Sequence, residues 1–79
     1  MKIHTKKEDI KFKNGISVPI VMESNAGCYV GTVDNSDGFL QPYTRLSDYM
    51  SQTDAESFLQ KNYMFTCVIT GITYTKNFD

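Results

Sequence analysis

The segment Ser51-Gln-Thr-Asp-Ala-Glu-Ser-Phe-Leu-Gln-Lys-Asn62 decides the fold, because it is the one stretch whose pattern clearly indicates a helix. Thr53 is the predicted N-cap, since Glu56 follows it at the spacing of a capping box. An apolar stripe at the i, i+3 and i+4 positions predicts that the helix docks on a sheet. The residues of this stripe are Ala55, Phe58 and Leu59.

Strand-like runs and turn clusters occupy the chain on both sides of this helix. The run 63–75 is rich in β-branched and aromatic residues and apolar on both faces, which predicts a central strand. Within it, Thr70-Gly71 is either a bulge or a turn that splits the run. Asn35-Ser-Asp-Gly38 is a strong turn signal between two further strands.

These patterns together predict an α+β fold with element order β-β-β-β-α-β. We expect an antiparallel sheet of about five strands with the helix packed on one face, and the opposite face left uncovered. Residues 1–79 are expected to form a single domain, because so short a chain supports one core. The first and last few residues, including Asn77-Phe-Asp79, are expected to be frayed.

The first hairpin contains Asn14-Gly15, a pair typical of a two-residue loop. That loop would place the neighbouring apolar residues on opposite faces, whereas a three-residue loop over 13–15 places them on one face. A one-sided sheet needs the latter, so we predict the longer loop. Pro19 then places its strand at a sheet edge or at a bulge. The predicted cross-strand pairs are Phe12 with Ile16 and Ile10 with Val18.

The charges are unevenly distributed in a chain of net charge −1. Residues 1–13 carry five lysines against two acids, whereas residues 14–60 carry only Arg45 against six acids. Proteins that bind nucleic acid usually concentrate basic residues on one face, so this distribution argues against such a partner. No apolar run has transmembrane length, and the N-terminal segment lacks the apolar core of a signal peptide. We therefore expect a cytoplasmic protein without a membrane partner.

Residue types that carry catalysis or bind metals are sparse and scattered along the chain. His4 is the single histidine, and its spacing to Cys28 and Cys67 indicates neither a nucleophile with its base nor a metal site. The five glycines are dispersed rather than gathered in a phosphate-binding loop. We predict no catalytic residue, no metal and no cofactor, hence a non-enzymatic protein. The cysteines are expected to be free thiols, with a Cys28–Cys67 bridge as the alternative.

The tyrosines are a stronger functional signal, because a core of this size does not bury them all comfortably. Tyrosine is large, rigid and amphipathic, and arginine beside it is the other residue type enriched at contact hot spots. The candidate protein-contact residues are Tyr29, Tyr43, Arg45, Tyr49 and Tyr74. Lysines near Phe12 suggest nucleic-acid contact as an alternative, although edge lysines also prevent strands from pairing between molecules. The candidates for that alternative are Lys6, Lys7, Lys11, Lys13 and Arg45.

Three segments in the middle of the chain resemble sequences of small uncharacterised proteins of phages and mobile elements in gut bacteria. They are Gly27-Cys-Tyr-Val-Gly-Thr32, Pro42-Tyr-Thr-Arg-Leu-Ser-Asp-Tyr49 and Asp54-Ala-Glu-Ser-Phe-Leu59. The order of strands and helix is also similar to the arm-type DNA-binding domains of tyrosine integrases, which carry basic residues on the sheet. This chain departs from them there and in the long strand after its helix, so no functional residue is carried over.

Two functions follow as expectations. The leading one is a small non-enzymatic interaction module that binds a protein partner or itself. The alternative is a nucleic-acid-associated accessory protein of a mobile element, and an enzyme ranks third.

Overall fold

The computed structural model describes residues 2–76. Six strands form one antiparallel sheet, followed by a helix and a separate two-stranded hairpin, so the predicted α+β class with one helix on one sheet face is confirmed. No helix in this part of the chain is long and apolar enough to cross a membrane. In chain order the elements are β1 (Lys2–Ile3), a short 3-10 helix (Lys7–Asp9), β2 (Phe12–Lys13), β3 (Ile16–Ser17), β4 (Ile20–Ser24), β5 (Gly27–Asp34), β6 (Gln41–Arg45), α1 (Gln52–Lys61), β7 (Met64–Thr66) and β8 (Thr73–Thr75).

The centre of the sheet is β5, which pairs with β3 and β4 along one edge and with β6 along the other. Its six inner residues are all buried, and their side chains alternate between two apolar cores. The helix-side core contains Val21, Cys28, Val30, Leu46, Ala55, Phe65 and Cys67. The second core, on the other face, contains Ile10, Val18, Ile20, Met22, Tyr29 and Val33.

The expectation that one sheet face is left uncovered is therefore wrong. The N-terminal segment folds across that face, where Ile10 joins the second core and Phe12 packs against it. Leu40, from the segment before β6, packs against the same core. Short segments are enough to cover a sheet of this size. Because they contain few apolar residues, the sequence pattern did not predict that this face would be covered.

The first hairpin turns on Asn14 and Gly15, whose φ angles of 54° and 84° are those of a two-residue type I′ loop. Phe12 pairs with Ser17, so the predicted three-residue loop and both of its cross-strand pairs are wrong. That prediction assumed a ribbon buried on one face only. Instead Ser17 and the residue after it are both buried, and the Ser17 hydroxyl accepts a hydrogen bond from the Val33 N–H at 2.9 Å.

Pro19 lies between β3 and β4, where the chain changes register against β5. Ile16 and Ile20 are four residues apart, but their partners Asp34 and Gly31 are only three apart. The additional residue makes a bulge, which is one of the two positions predicted for this proline.

The helix begins two residues earlier than the predicted cap implies. Ser51 is the N-cap, and its hydroxyl accepts a hydrogen bond from the Asp54 N–H at 3.1 Å. Thr53 lies inside the helix, and Glu56 accepts from the Gln52 side chain at 2.9 Å rather than closing a capping box. The reason is tertiary, because the residue before the cap is bridged to β5 and held extended.

The predicted apolar stripe of the helix is confirmed. Ala55 is completely buried in the helix-side core, and Phe58 and Leu59 pack against the same core. Phe58 meets Phe65 of β7 with ring centroids 5.5 Å apart. The helix therefore joins the main sheet to the C-terminal hairpin through one core.

The predicted central strand over 63–75 is a hairpin. Its loop spans residues 67–72 and closes through hydrogen bonds from Gly71 N–H to the Cys67 carbonyl and from Cys67 N–H to the Ile72 carbonyl. Gly71 has a φ of 75°, so the turn alternative holds at this position. Both cysteines are free thiols within the helix-side core, as expected. Residues 77–79, which were predicted to be frayed, lie outside the described residues.

Replacing Ser51 by alanine should lower the free energy of unfolding by about 1 kcal/mol, because the Asp54 N–H loses its acceptor. Thr53→Ala is the matched control and should change stability by less than about 0.5 kcal/mol. Urea unfolding of both variants measures the difference. Equal losses in the two variants would contradict the assignment of Ser51 as the cap.

Replacing Gly31 by alanine should destabilise the protein by at least about 2 kcal/mol through overpacking. A Cβ atom there would meet the Thr44 carbonyl oxygen and lie 2.7 Å from the Met22 methyl carbon. The carbonyl belongs to a paired strand and cannot move aside. Gly38→Asn is the control, since a Cβ at Gly38 has open space and asparagine tolerates its positive φ. Thermal unfolding of both variants gives the comparison.

Candidate functional site

The predicted contact tyrosines do not share one surface. Tyr29 is only 6% exposed and belongs to the second core, whereas Tyr43 and Tyr49 are exposed. Tyr74 is partly buried and packs against the helix-side core. The structure therefore assigns Tyr29 a supporting position and leaves two of the four tyrosines available for contact.

Three of the predicted residues do form a stack. The Tyr29 and Tyr49 rings meet edge to face with centroids 5.5 Å apart, and the Arg45 guanidinium lies 4.9 Å from the centre of the Tyr49 ring. Such cation–π contact holds an arginine in place. Arg45 also donates to the Ser47 carbonyl at 3.2 Å and lies 3.6 Å from the Asp48 carboxylate. The turn after β6 thus presents a positioned cation beside an anion.

A second surface is apolar and lies at the loop of the C-terminal hairpin. Val68 is 90% exposed and Ile69 is 81% exposed, and Ile72 in the same loop is also exposed. Val68 and Ile69 border a cavity of about 310 Å³, which we call the hairpin groove. Its full lining is Arg45, Leu46, Ser47, Asp48, Met50, Phe58, Val68 and Ile69. Arg45 of the stack therefore lines an apolar recess, whereas Tyr49 is not part of the lining.

The sequence prediction missed this surface for an identifiable reason. A continuous strand over 63–75 would have buried Val68 and Ile69 in a sheet. In the structure they lie in the loop between β7 and β8, and the residues that reach the helix-side core just before them are Phe65 and Cys67. The sequence did contain a signal for this surface, because a turn at Thr70-Gly71 would leave the adjacent Val68 and Ile69 exposed.

The lysines of the nucleic-acid alternative are all exposed and lie on the N-terminal segment and β2. Arg45 is on β6, and the strand order across the sheet is β2, β3, β5, β6. Three strand spacings separate the two edges, or about 14 Å, so Lys13 and Arg45 lie on opposite edges. The five candidates therefore do not form one basic patch through the sheet. The nucleic-acid role stays a prediction.

A third group joins residues that are far apart in the sequence. The His4 Nε2 atom is 2.8 Å from the Glu23 carboxylate, and the Cys28 thiol donates to the same carboxylate oxygen at 3.9 Å. The three ligand atoms all lie within 4.8 Å of one another. Strands β1, β4 and β5 bring them together, and only the strand register could have revealed this. Burial first, and then the negative charge of Glu23, raises the pKa of the Cys28 thiol.

The contact between Tyr29 and Tyr49 should be detectable in the pKa of Tyr29. The pKa of Tyr29 is raised by burial and, to a lesser extent, by Tyr49. Tyr49→Ala should move the pKa of Tyr29 toward its ordinary value, because it uncovers the phenol. Absorbance of tyrosinate during an alkaline titration measures the change, with Tyr29→Phe identifying the signal. Tyr74→Phe is the control, because the pKa of Tyr74 is also raised by burial.

The same shift has a consequence for stability. A raised pKa in the folded state means that the neutral phenol contributes stability below about pH 10, the ordinary value. That contribution is lost as the pH rises through the pKa of the folded state.

The titration also gives the outcome that would contradict the proposed contact. If the pKa of Tyr29 is the same in Tyr49→Ala as in the wild type, Tyr49 does not cover the Tyr29 phenol.

Comparison with known proteins gives no match to this chain among protein-family models, curated proteins or solved structures. The resemblance to phage and mobile-element proteins therefore stays a prediction. The function has to be inferred from the surfaces of the protein itself.

Proposed function

We propose that this chain is a small non-enzymatic interaction module that docks through the hairpin groove, and that the occupant is a second copy of the chain. The observation that carries the proposal is the exposure of Val68 and Ile69 beside a recess lined by Met50 and Phe58. Adjacent large apolar side chains exposed together at one site are characteristic of interaction surfaces.

The shape of this surface favours a copy of itself as the occupant. It combines an apolar projection, the hairpin loop, with an adjoining apolar recess. In a two-fold dimer the same patch is used twice, so the loop of each copy covers the recess of the other. An apolar loop and an apolar recess are complementary in that arrangement.

The charges at the rim favour the same occupant. Arg45 and Asp48 lie 3.6 Å apart and have opposite signs. In a two-fold contact, Arg45 of one copy can face Asp48 of the partner subunit, so like charges need not meet. A rim of one sign would oppose self-association, because like charges would then face each other.

The aromatic stack supplies the residue types that dominate contact energies. Arg45 is exposed and lines the groove, where it contacts the Tyr49 ring, and the Tyr49 ring in turn packs edge to face on the buried Tyr29. Tyrosine and arginine are enriched at contact hot spots, where prior ordering reduces the entropy lost on binding. Of the predicted contact residues, Arg45 therefore acts at the groove, and Tyr49 and Tyr29 hold it in position.

The non-enzymatic part of the proposal draws on the two cysteines. Burial and the Glu23 charge raise the pKa of Cys28, which favours its unreactive thiol. Hydrogen bonding to Thr70 lowers the pKa of Cys67, but this residue is only 3% exposed. We also place the module in the cytoplasm, because its two cysteines are free thiols, as in a reducing compartment.

Sedimentation velocity over a range of protein concentrations tests the proposal. We expect the wild-type chain to form a dimer whose fraction rises with concentration, because dimerisation removes Val68 and Ile69 from water. The double variant Val68→Asp/Ile69→Asp should stay monomeric at every concentration, since burying two unpaired carboxylates is costly.

The control is Phe39→Asp, which places a single carboxylate at a residue that is 73% exposed and outside the groove lining. It should dimerise like the wild type. Circular dichroism confirms that each variant is folded. A wild-type chain that is monomeric at the highest concentration, or a double variant that still dimerises, would refute the proposal.

A further inference from the structure

Three side chains with the chemistry of zinc ligands converge where β1, β4 and β5 lie side by side. They are an imidazole, a carboxylate and a thiol, from His4, Glu23 and Cys28, and their ligand atoms lie within 4.8 Å of one another. Cys28 and the His4 side chain are mostly buried, whereas the Glu23 side chain is 43% exposed. The cluster is thus buried on the protein side and open to solvent on the other.

The backbone holds the three residues on one face of the sheet. Glu23 pairs directly with Cys28 across β4 and β5, so their side chains are neighbours on the same face. His4 follows β1 by one residue, and its N–H donates to the Val21 carbonyl at 3.3 Å, which places it beside the same face. Cys28 is also bonded in both directions to Met50 on its other edge. Ligands carried by paired strands are well positioned for a metal.

The dimensions suit a tetrahedral ion. Zinc bonds of about 2.0 to 2.3 Å to nitrogen, oxygen and sulfur require ligand atoms roughly 3.3 to 3.7 Å apart. The His4–Glu23 distance of 2.8 Å and the Cys28–Glu23 distance of 3.9 Å bracket that range. These two distances differ from the range by at most about 0.5 Å, and the third pair of ligand atoms, those of His4 and Cys28, lies within 4.8 Å.

The donor set selects the metal. Calcium and magnesium take oxygen ligands, whereas a thiolate and an imidazole together favour zinc or a similar transition metal. We propose that His4, Glu23 and Cys28 form a zinc site in which three protein ligands leave the fourth position to solvent.

The surrounding charges are compatible with a cation. Glu56 of α1 lines a cavity of about 160 Å³ together with His4, on the side from which the helix covers the sheet. Lys2 brings a positive charge near the site, because it pairs with Glu23 across β1 and β4 and lies on the same face of the sheet. The two carboxylates Glu23 and Glu56 therefore outnumber the single lysine, Lys2, around the site.

An ordinary ion pair between His4 and Glu23 is the competing explanation, and it would tie β1 to β4 without any metal. It uses two of the three residues and gives the Cys28 sulfur no part. A zinc ion would instead require the thiolate. The experiment therefore has to show whether the Cys28 sulfur binds the metal.

The test is a Co²⁺ titration of the full chain, reduced and stripped of metal. We expect thiolate-to-cobalt charge-transfer absorption that saturates at one ion per chain and is abolished when Zn²⁺ displaces the cobalt. Cys28→Ser should remove this absorption. His4→Gln and Glu23→Gln should each weaken binding by at least about tenfold, the effect that even outer-shell changes have on metal sites.

Cys67→Ser is the matched control, because Cys67 is the other buried thiol of the helix-side core. It should keep the full absorption. Thermal unfolding provides a second measurement, in which Zn²⁺ should raise the Tm of the wild type but not that of Cys28→Ala. A chain without saturable thiolate absorption, or a Cys28→Ser variant that retains it, would overturn the proposal. None of these residues lines the hairpin groove, so the result is independent of dimerisation.

Discussion

The burial of β5 on both faces and its pairing along both edges is the constraint on which the rest of the structure depends. Its inner residues supply side chains to both cores. The tightest point is Gly31, where the Thr44 backbone and the Met22 and Tyr29 side chains approach so closely that no side chain fits. A strand held in this way fixes the register of its neighbours, and hence which residues meet across the sheet.

Both candidate sites follow from that register. The pairing of Glu23 with Cys28, and the bond from the His4 N–H to Val21 of β4, assemble the three-residue cluster near the β1 edge of the sheet. At the other edge, the turn that follows β6 brings the Tyr49 ring beneath Arg45, the last residue of that strand. Tyr49 can rest on Tyr29 because β5 buries that tyrosine in the second core.

The hairpin groove forms because the last part of the chain first completes a core and then has to reverse its direction. Phe65 and Cys67 complete the helix-side core, which ties the hairpin to the helix and the sheet. The chain then has to reverse, and the loop that reverses it carries Val68 and Ile69 into solvent. Residues of strand-forming type in a reversing loop lower the solubility of a monomer. A role in contact with another surface is a physical reason to retain them.

Local features were predictable from the sequence. The helix and its stripe over Ala55, Phe58 and Leu59 follow from periodicity, and Asn35-Ser-Asp-Gly38 makes the expected turn, with a bond from Gly38 N–H to the Asn35 carbonyl. Such features depend on residues a few positions apart, whose geometry the backbone already limits. The helix cap was missed although it is local, because the bridge between Met50 and Cys28 selected Ser51 over Thr53.

What only the tertiary structure decided is which distant segments meet. The covered second face, the short first hairpin loop and the meeting of His4 with Cys28 all depend on strand register, and one residue of slip would reverse every side chain. The sequence by itself determined one helix among antiparallel strands, because periodicity and turn chemistry act locally. The placement of the candidate sites was left to packing, because pairing energies are shared among residues too far apart in the chain for any local pattern to report them.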